Sequence, residues 1–145
     1  MNDQLNAGSA GFFEATISLK QLVSNLVCNS LPAARHNNTC VVNEVEQGIA
    51  LGTDMHKAID VIGDILHTVV ANSRNGNIHI TAERFRDIVI LEIQERNNYN
   101  GYALAFSIGS IEQDAASAGG YISMKGPQQK VTTISFSFPY NLLAA

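Results

Sequence analysis

Apolar and polar residues change period several times along this chain, and each change marks an element. Phe13 to Leu19 alternates, which predicts a short strand. Ile17, Leu19, Leu22, Val23, Leu26, Val27 and Leu31 then recur at helical spacing. That helix is expected to stop near Leu31-Pro32, because the residue before a proline avoids the helical region. Thr39 to Val45 is β-branched and strand-like, and Ile49 to Leu51 reads as a second short strand. Gly52-Thr53-Asp54 is a helix start signal, with Thr53 or Asp54 as the cap. The helix after it places Ile59, Ile62, Leu66, Val69 and Val70 on one face. Asp60, Asp64, Thr68 and Ala71 share a neighbouring face.

Asn72 to Asn77 is rich in Asn and Gly and predicts a turn. Ile78 to Glu83 and Asp87 to Gln94 both alternate, and with Arg84-Phe85-Arg86 between them they predict an antiparallel hairpin. A helix from about Ala103 to Ala118 and strands around Tyr121–Lys125 and Val131–Phe138 complete the pattern. Strand-helix-strand-helix followed by late hairpins predicts an α+β fold. Its expected form is a two-layer α/β sandwich, a mixed but mostly antiparallel sheet with about three helices on one face. Residues 1–12 read as a frayed N-terminal segment, 13–140 as one domain and 141–145 as a tail.

Composition narrows the function classes. The chain has 145 residues, enough for one buried core, with 46% apolar and 15% charged residues. A net charge of −4, with the basic residues scattered, argues against a duplex-DNA or anionic-lipid surface. There is no apolar run of membrane-spanning length and no basic, apolar leader at Met1-Asn2-Asp3-Gln4, so the expectation is a cytoplasmic protein with no membrane partner. Cys28 and Cys40 form no framework and read as two buried thiols. His36, His56, His67 and His79 lack metal-ligand spacing, and Ser107, Ser110 and Ser117 lie in no nucleophile elbow. Asp60 and Asp64 read as a solvated polar face.

The last third carries a more specific pattern: Gly101-Tyr102-Ala103-Leu104-Ala105-Phe106, then Gly119-Gly120-Tyr121-Ile122, then Thr132-Thr133-Ile134-Ser135-Phe136-Ser137-Phe138-Pro139. This order resembles the end of a histidine-kinase ATPase domain, the GHKL or Bergerat fold, whose pattern runs GLGLAI, helix, HGGxI, then GxGTTFTFTLP. Upstream, Thr53-Asp54 followed by Ile59 to Leu66 resembles the family's D…L…VLxNLL, and Ile78-His79-Ile80 resembles its first strand after the GG turn.

The resemblance implies where nucleotide chemistry would lie. The family's NLLxNAxKY helix holds Mg²⁺ through its second Asn, an oxygen ligand suited to a small hard cation. In this chain the first Asn corresponds to Asp64, the Mg²⁺ Asn to Thr68, and the phosphate-facing Lys to Ala71. A shift by one residue puts His67 at the metal position. The adenine-reading DxGxG corresponds to Glu95, Asn97 and Tyr99, so a longer carboxylate and two side chains replace an Asp and two glycines. The family's flexible lid is reduced to the few residues between Glu95 and Gly101. GLGL becomes Gly101-Tyr102-Ala103-Leu104, with Ala103 in place of a glycine that lets backbone amides approach phosphate. Thr132 matches the Thr that supports the adenine-binding Asp.

These departures lead to one expectation and its alternatives. The first is a histidine-kinase-like ATPase fold with an eroded nucleotide site, needing no cofactor. It would be a non-catalytic regulatory module of two-component-type signalling, acting on a signalling protein or by self-association, with Tyr99 and Tyr102 filling the vacated pocket or, as the other reading, forming a partner-binding patch. The family's phosphoacceptor hairpin has no room in these residues. The alternative is a divergent Mg-ATP-binding catalytic domain of a sensor histidine kinase. It would use Asp64, Thr68, Glu95, Asn97, Gly101, Ala103 and Thr132, with Thr68 the metal ligand. A small-molecule sensor built on a remodelled pocket is a third.

Overall fold

Helix α1 (Leu19–His36) begins where strand β1 (Thr16–Ser18) ends, because Ser18 is extended and its side chain accepts the Gln21 amide at 2.9 Å. The computed structural model describes residues 16–52 and 55–140. The segments 1–12 and 141–145, the start of the 13–19 strand and the caps Thr53 and Asp54 lie outside them. Contrary to the sequence expectation, α1 passes through Pro32 and runs on to His36. The carbonyl that loses its partner there belongs to Cys28, an exposed residue that water can reach. Ala33 and Ala34 favour the helix, and Ala34 is buried. The actual stop is at Asn38, which takes a left-handed φ of 53°. The Asn38 amide donates to the Arg35 carbonyl at 3.1 Å and the Thr39 amide to that of Ala34 at 2.8 Å, a Schellman closure with Asn in place of the usual Gly.

Strand β2 (Cys40–Asn43) follows, then β3 (Ala50–Gly52), which pairs antiparallel with β1 as a separate two-stranded sheet. Helix α2 (His56–Ala71) buries Ala58, Val61, Ile62, Ile65, Leu66, Val69 and Val70; of the face expected from its period, Ile62, Leu66, Val69 and Val70 are buried and Ile59 is partly buried. Next come β4 (Asn77–Phe85) and β5 (Ile88–Glu95). The expected helix over 103–118 divides into α3 (Gly101–Gly109) and α4 (Glu112–Ser117). The division falls where Gly109 weakens the helix and the Ser110 hydroxyl donates back to the Ser107 carbonyl at 2.7 Å. The described residues therefore form four helices where about three were expected. Strands β6 (Tyr121–Lys125) and β7 (Thr132–Pro139) end it.

The main sheet has the order β2-β4-β5-β7-β6, with β2 and β4 parallel and every other pair antiparallel. Strict alternation sorts its two faces. On the inner face Ile80, Ile93 and Ile134 stand in register, as do Ala82, Leu91 and Phe136, and all are buried. On the outer face Thr81, Glu92, Ser135 and Ser123 form a polar row. His79 there lies 3.0 Å from both Glu44 Oε1 and Asn77 Oδ1. The helices meet the inner face through the buried sides of α1 and α2, which completes a mixed two-layer sandwich. No helix among the described residues is long and apolar enough to cross a membrane.

Phe85 pairs with Ile88, so the hairpin loop is only Arg86-Asp87, and Arg86 sits at a left-handed φ of 53°. A Cβ in that region is strained. Arg86→Gly should therefore raise stability by about 1 kcal/mol, read as a higher urea midpoint at unchanged slope. A lowered midpoint would count against the strain.

Candidate functional site

The face of α2 that carries Asp60 and Asp64 opens onto a groove of about 430 Å³. Lys57, Asp60, Val61 and Asp64 line it from α2, and Asp114 and Ser117 from α4. Asp60, Asp64 and Asp114 are all exposed, so three carboxylates face one ammonium group. A polyanion entering such a groove meets repulsion that one lysine does not offset. Among the described residues no group of three or more His, Cys, Asp or Glu is arranged to hold a metal ion. Thr68 lies further along α2, partly buried, and its carbonyl accepts both the Asn72 amide and the Asn72 side chain at the helix end. Ala71 is exposed. The first cation after it is Arg74, whose guanidinium donates to the Ser73 carbonyl at 2.6 Å and lies 5.7 Å from the Tyr99 ring centroid.

Glu95 ends β5 and is only 2% exposed. Buried carboxylates need donors, and this one has them within the chain. Its Oε1 accepts the Asn77 amide at 2.7 Å and the Asn97 amide at 2.9 Å. Its Oε2 lies 2.7 Å from Ser73 Oγ, which is also 2.7 Å from the Val69 carbonyl. Glu95 thus ties β5 to the turn that leads from α2 into β4. Gly76 fits that turn because a Cβ there would strike Glu95 Oε2 and approach Ser73 Cβ to 3.1 Å. Asn97 is exposed and donates from its side chain to the Asn75 carbonyl at 2.7 Å. Thr132 is the register partner of Glu95 and is buried, but its hydroxyl donates to the Gly126 carbonyl at 2.8 Å.

The five residues between Glu95 and Gly101 are fastened to the turn between β6 and β7. The Asn98 amide donates to the Lys130 carbonyl at 2.8 Å, and its side chain to those of Pro127 and Gln129 at 2.9 and 2.8 Å. Gly101 lies so close that an added Cβ would collide with the Pro127 carbonyl oxygen and reach its carbon at 2.5 Å. Asn100 caps α3, its side-chain oxygen accepting the Ala103 amide at 3.2 Å. An amide at the start of this helix is therefore already bonded within the chain.

Tyr99 and Tyr102 do not fill a cleft, being 64% and 68% exposed. Cys28 and Cys40 are likewise exposed rather than buried, on α1 and at the start of the edge strand β2. Of the sequence candidates, the fold brings Glu95, Asn97 and Gly101 together around one loop, with Thr132 beside Glu95. It places Asp64 in the groove and Thr68 near the far end of α2. Sequence reasoning missed Ser73, Gly76, Asn98, Asn100 and Asp114. Only the Asn75-Gly76 and Asn100-Gly101 pairs carried a local signal, as turn markers.

No protein-family model matches the chain, and no curated protein matches it by sequence. Solved structures do match. A histidine kinase of Acinetobacter baumannii, AdeS, is 11% identical with a TM-score of 0.69, over 92% of this chain and 72% of that one. The catalytic domain of the histidine kinase ThkA, in a nucleotide-free form, is 14% identical with a TM-score of 0.67, over 89% of this chain and 98% of that one. ThkA in complex with the response regulator protein TrrA is 16% identical with a TM-score of 0.61, over 91% of this chain and 43% of that one.

Proposed function

We propose, from the histidine-kinase-like ATPase fold that this chain has, that it is a non-catalytic signalling module that binds no nucleotide and acts by protein–protein contact. The observation that carries the reading is Glu95. The carboxylate at the adenine-reading position is 2% exposed and spent on Ser73, Asn77 and Asn97. An adenine amino group finds no free acceptor there unless the turn opens. Three further features support the same reading. The groove beside α2 carries Asp60, Asp64 and Asp114 against Lys57. The Ala103 amide is taken by Asn100, and the remnant of the lid is bonded to the β6–β7 turn. The residues at hand thus do not suit Mg-ATP. Protein contact as the mode of action is supported by the exposed aromatic side chains Tyr99, Tyr102 and Phe106 at the site's edge, and by analogy with ThkA, which forms a complex with a response regulator.

Titration with ATP, ADP and GTP in the presence of Mg²⁺ tests this by calorimetry and thermal unfolding. A ligand with a Kd of about 10 μM at about 1 mM adds about 2.7 kcal/mol to the native state. For a chain of this size that is a rise in Tm of about 8 °C. The expected result is no binding heat and no such rise. Micromolar binding would overturn the reading in favour of a divergent Mg-ATP domain, in which Glu95 exchanges its internal donors for the base.

A further inference from the structure

We propose that the edge of the main sheet where β4 begins and β5 ends is a docking surface for a short acidic segment of a partner protein. The inference deepens the contact function above by giving the partner's chemistry. It rests on that reading, but its test measures a peptide and not ATP, so either can fail alone.

The cations are scattered in sequence and gathered in space. Strands β2, β4 and β7 begin at this edge and β5 and β6 end there, since Cys40 pairs with Asn77, Ile78 with Glu95, Glu95 with Thr132 and Lys125 with Thr133. Each of the five strand ends has one cation near it in the chain: Arg35 before β2, Arg74 before β4, Arg96 after β5, Lys130 before β7 and Lys125 closing β6. All five are exposed. They are five of the chain's nine Lys and Arg, and the segments that carry them hold one of its 13 Asp and Glu. That one is Glu95, buried and bonded within the chain. Among the described residues the only ion pair joins His79 to Glu44, so none of the five cations is neutralised by a neighbour. The remaining four Lys and Arg stand against 12 carboxylates in the rest of the chain.

The segments that carry the charge are bonded to one another in a row. The Asn75 amide donates to the Asn37 carbonyl at 2.9 Å, and the Asn38 side chain to Asn75 Oδ1 at 2.7 Å. The Asn97 side chain donates to the Asn75 carbonyl at 2.7 Å, and the Asn98 amide to the Lys130 carbonyl at 2.8 Å. A surface already ordered loses less freedom when a partner binds. Two of the guanidinium groups are also held. That of Arg74 lies 5.7 Å from the Tyr99 ring centroid, and Arg96 Nε donates to Gln94 Oε1 at 2.6 Å. Guanidinium groups meet carboxylates through paired N–H groups, so they suit Asp and Glu side chains.

Length and charge select the occupant. Five strands about 4.8 Å apart make a ridge about 19 Å long, which an extended segment of about six residues crosses. A long polyanion such as nucleic acid runs off that ridge onto surfaces where carboxylates outnumber cations, and is repelled there. A short acidic segment meets only the favourable field. The same uneven field turns an approaching acidic partner toward this edge.

Fluorescence anisotropy of labelled hexaglutamate, titrated with the full chain, tests the proposal. Hexaglutamine and a single-stranded DNA of about 20 nucleotides are the comparison probes. Hexaglutamate should bind with a Kd of about 0.1–1 mM at about 0.05 M salt, and about tenfold more weakly at about 0.5 M. Arg74→Glu combined with Arg96→Glu should weaken it by about tenfold or more, with an unchanged circular dichroism spectrum. Arg86→Glu makes the same charge change at the far end of the β4–β5 hairpin, and should leave binding within about twofold. No hexaglutamate binding, equal binding of hexaglutamine, tighter binding of the DNA, a double variant that binds as before, or an equal loss in Arg86→Glu would each overturn the proposal.

Discussion

Replacing Glu95 with alanine is expected to lower the unfolding free energy by about 3–5 kcal/mol. The side chain is 2% exposed and accepts two backbone amides and approaches one hydroxyl, all from residues that shape a single turn. Truncation empties the buried site of the side chain and takes the acceptor from the partly shielded Asn77 and Asn97 amides, while Ser73 Oγ keeps the Val69 carbonyl. Glu95→Gln should be much milder, about 1–2 kcal/mol. Its oxygen can still accept the Asn77 and Asn97 amides, and its amide group can donate to Ser73 Oγ, which then donates to the Val69 carbonyl. Chemical unfolding with an unchanged denaturant slope is the measurement. The sign is informative. Carboxylates kept for ligand recognition are commonly strained, and removing them stabilises the fold. A stability gain in Glu95→Ala, or a loss below about 0.5 kcal/mol, would mean that the carboxylate is not holding the turn.

The second large effect is expected at Gly101. Gly101→Ala places a methyl group against the Pro127 carbonyl, which is backbone and cannot swing aside as a flexible side chain would. Overpacking of this kind costs about 3 kcal/mol, near 10 °C in Tm for a chain of this length. Gly109→Ala is the internal comparison on the same helix. With open space around it, that change should be neutral or gain up to about 1 kcal/mol. If the two variants melt together, the loop and the β6–β7 turn are not in the contact described.

Much of this architecture could be read from alternation and period. Ile78-Ile80-Ala82, Val89-Leu91-Ile93 and Ile134-Phe136-Phe138 each place alternate residues on one face, and each became an inner-face strand. The seven buried residues of α2 follow a 3.6-residue period that no turn signal interrupts. What failed depended on partners distant in sequence. Pro32 looked like a stop, but the burial of Ala34 and the closure at Asn38 carried α1 past it. Ser73 lies 22 residues before Glu95, and the other two donors to that carboxylate are main-chain amides, which have no side-chain signature. For the same reason the sequence shows Glu95 only as a long carboxylate at the ligand-reading position and not its bonds to the turn. Tyr99 and Tyr102 flank the shortened loop and read as filling the pocket it vacates, yet Asn98 fastens that loop to the β6–β7 turn and both rings stand exposed.

That attachment of Asn98 bears on how far this part of the molecule could respond to a ligand. A receptor that changes shape with its ligand needs two arrangements of similar energy, and the ligand shifts the balance only by preferring one of them. Asn98 makes three hydrogen bonds to the β6–β7 turn and Asn97 makes two more, to Glu95 and Asn75, so a second arrangement of this segment would have to break several of them together. A ligand that needs this segment moved would have to supply the energy of those bonds before it gained anything from binding, like a key that must first draw its own bolt.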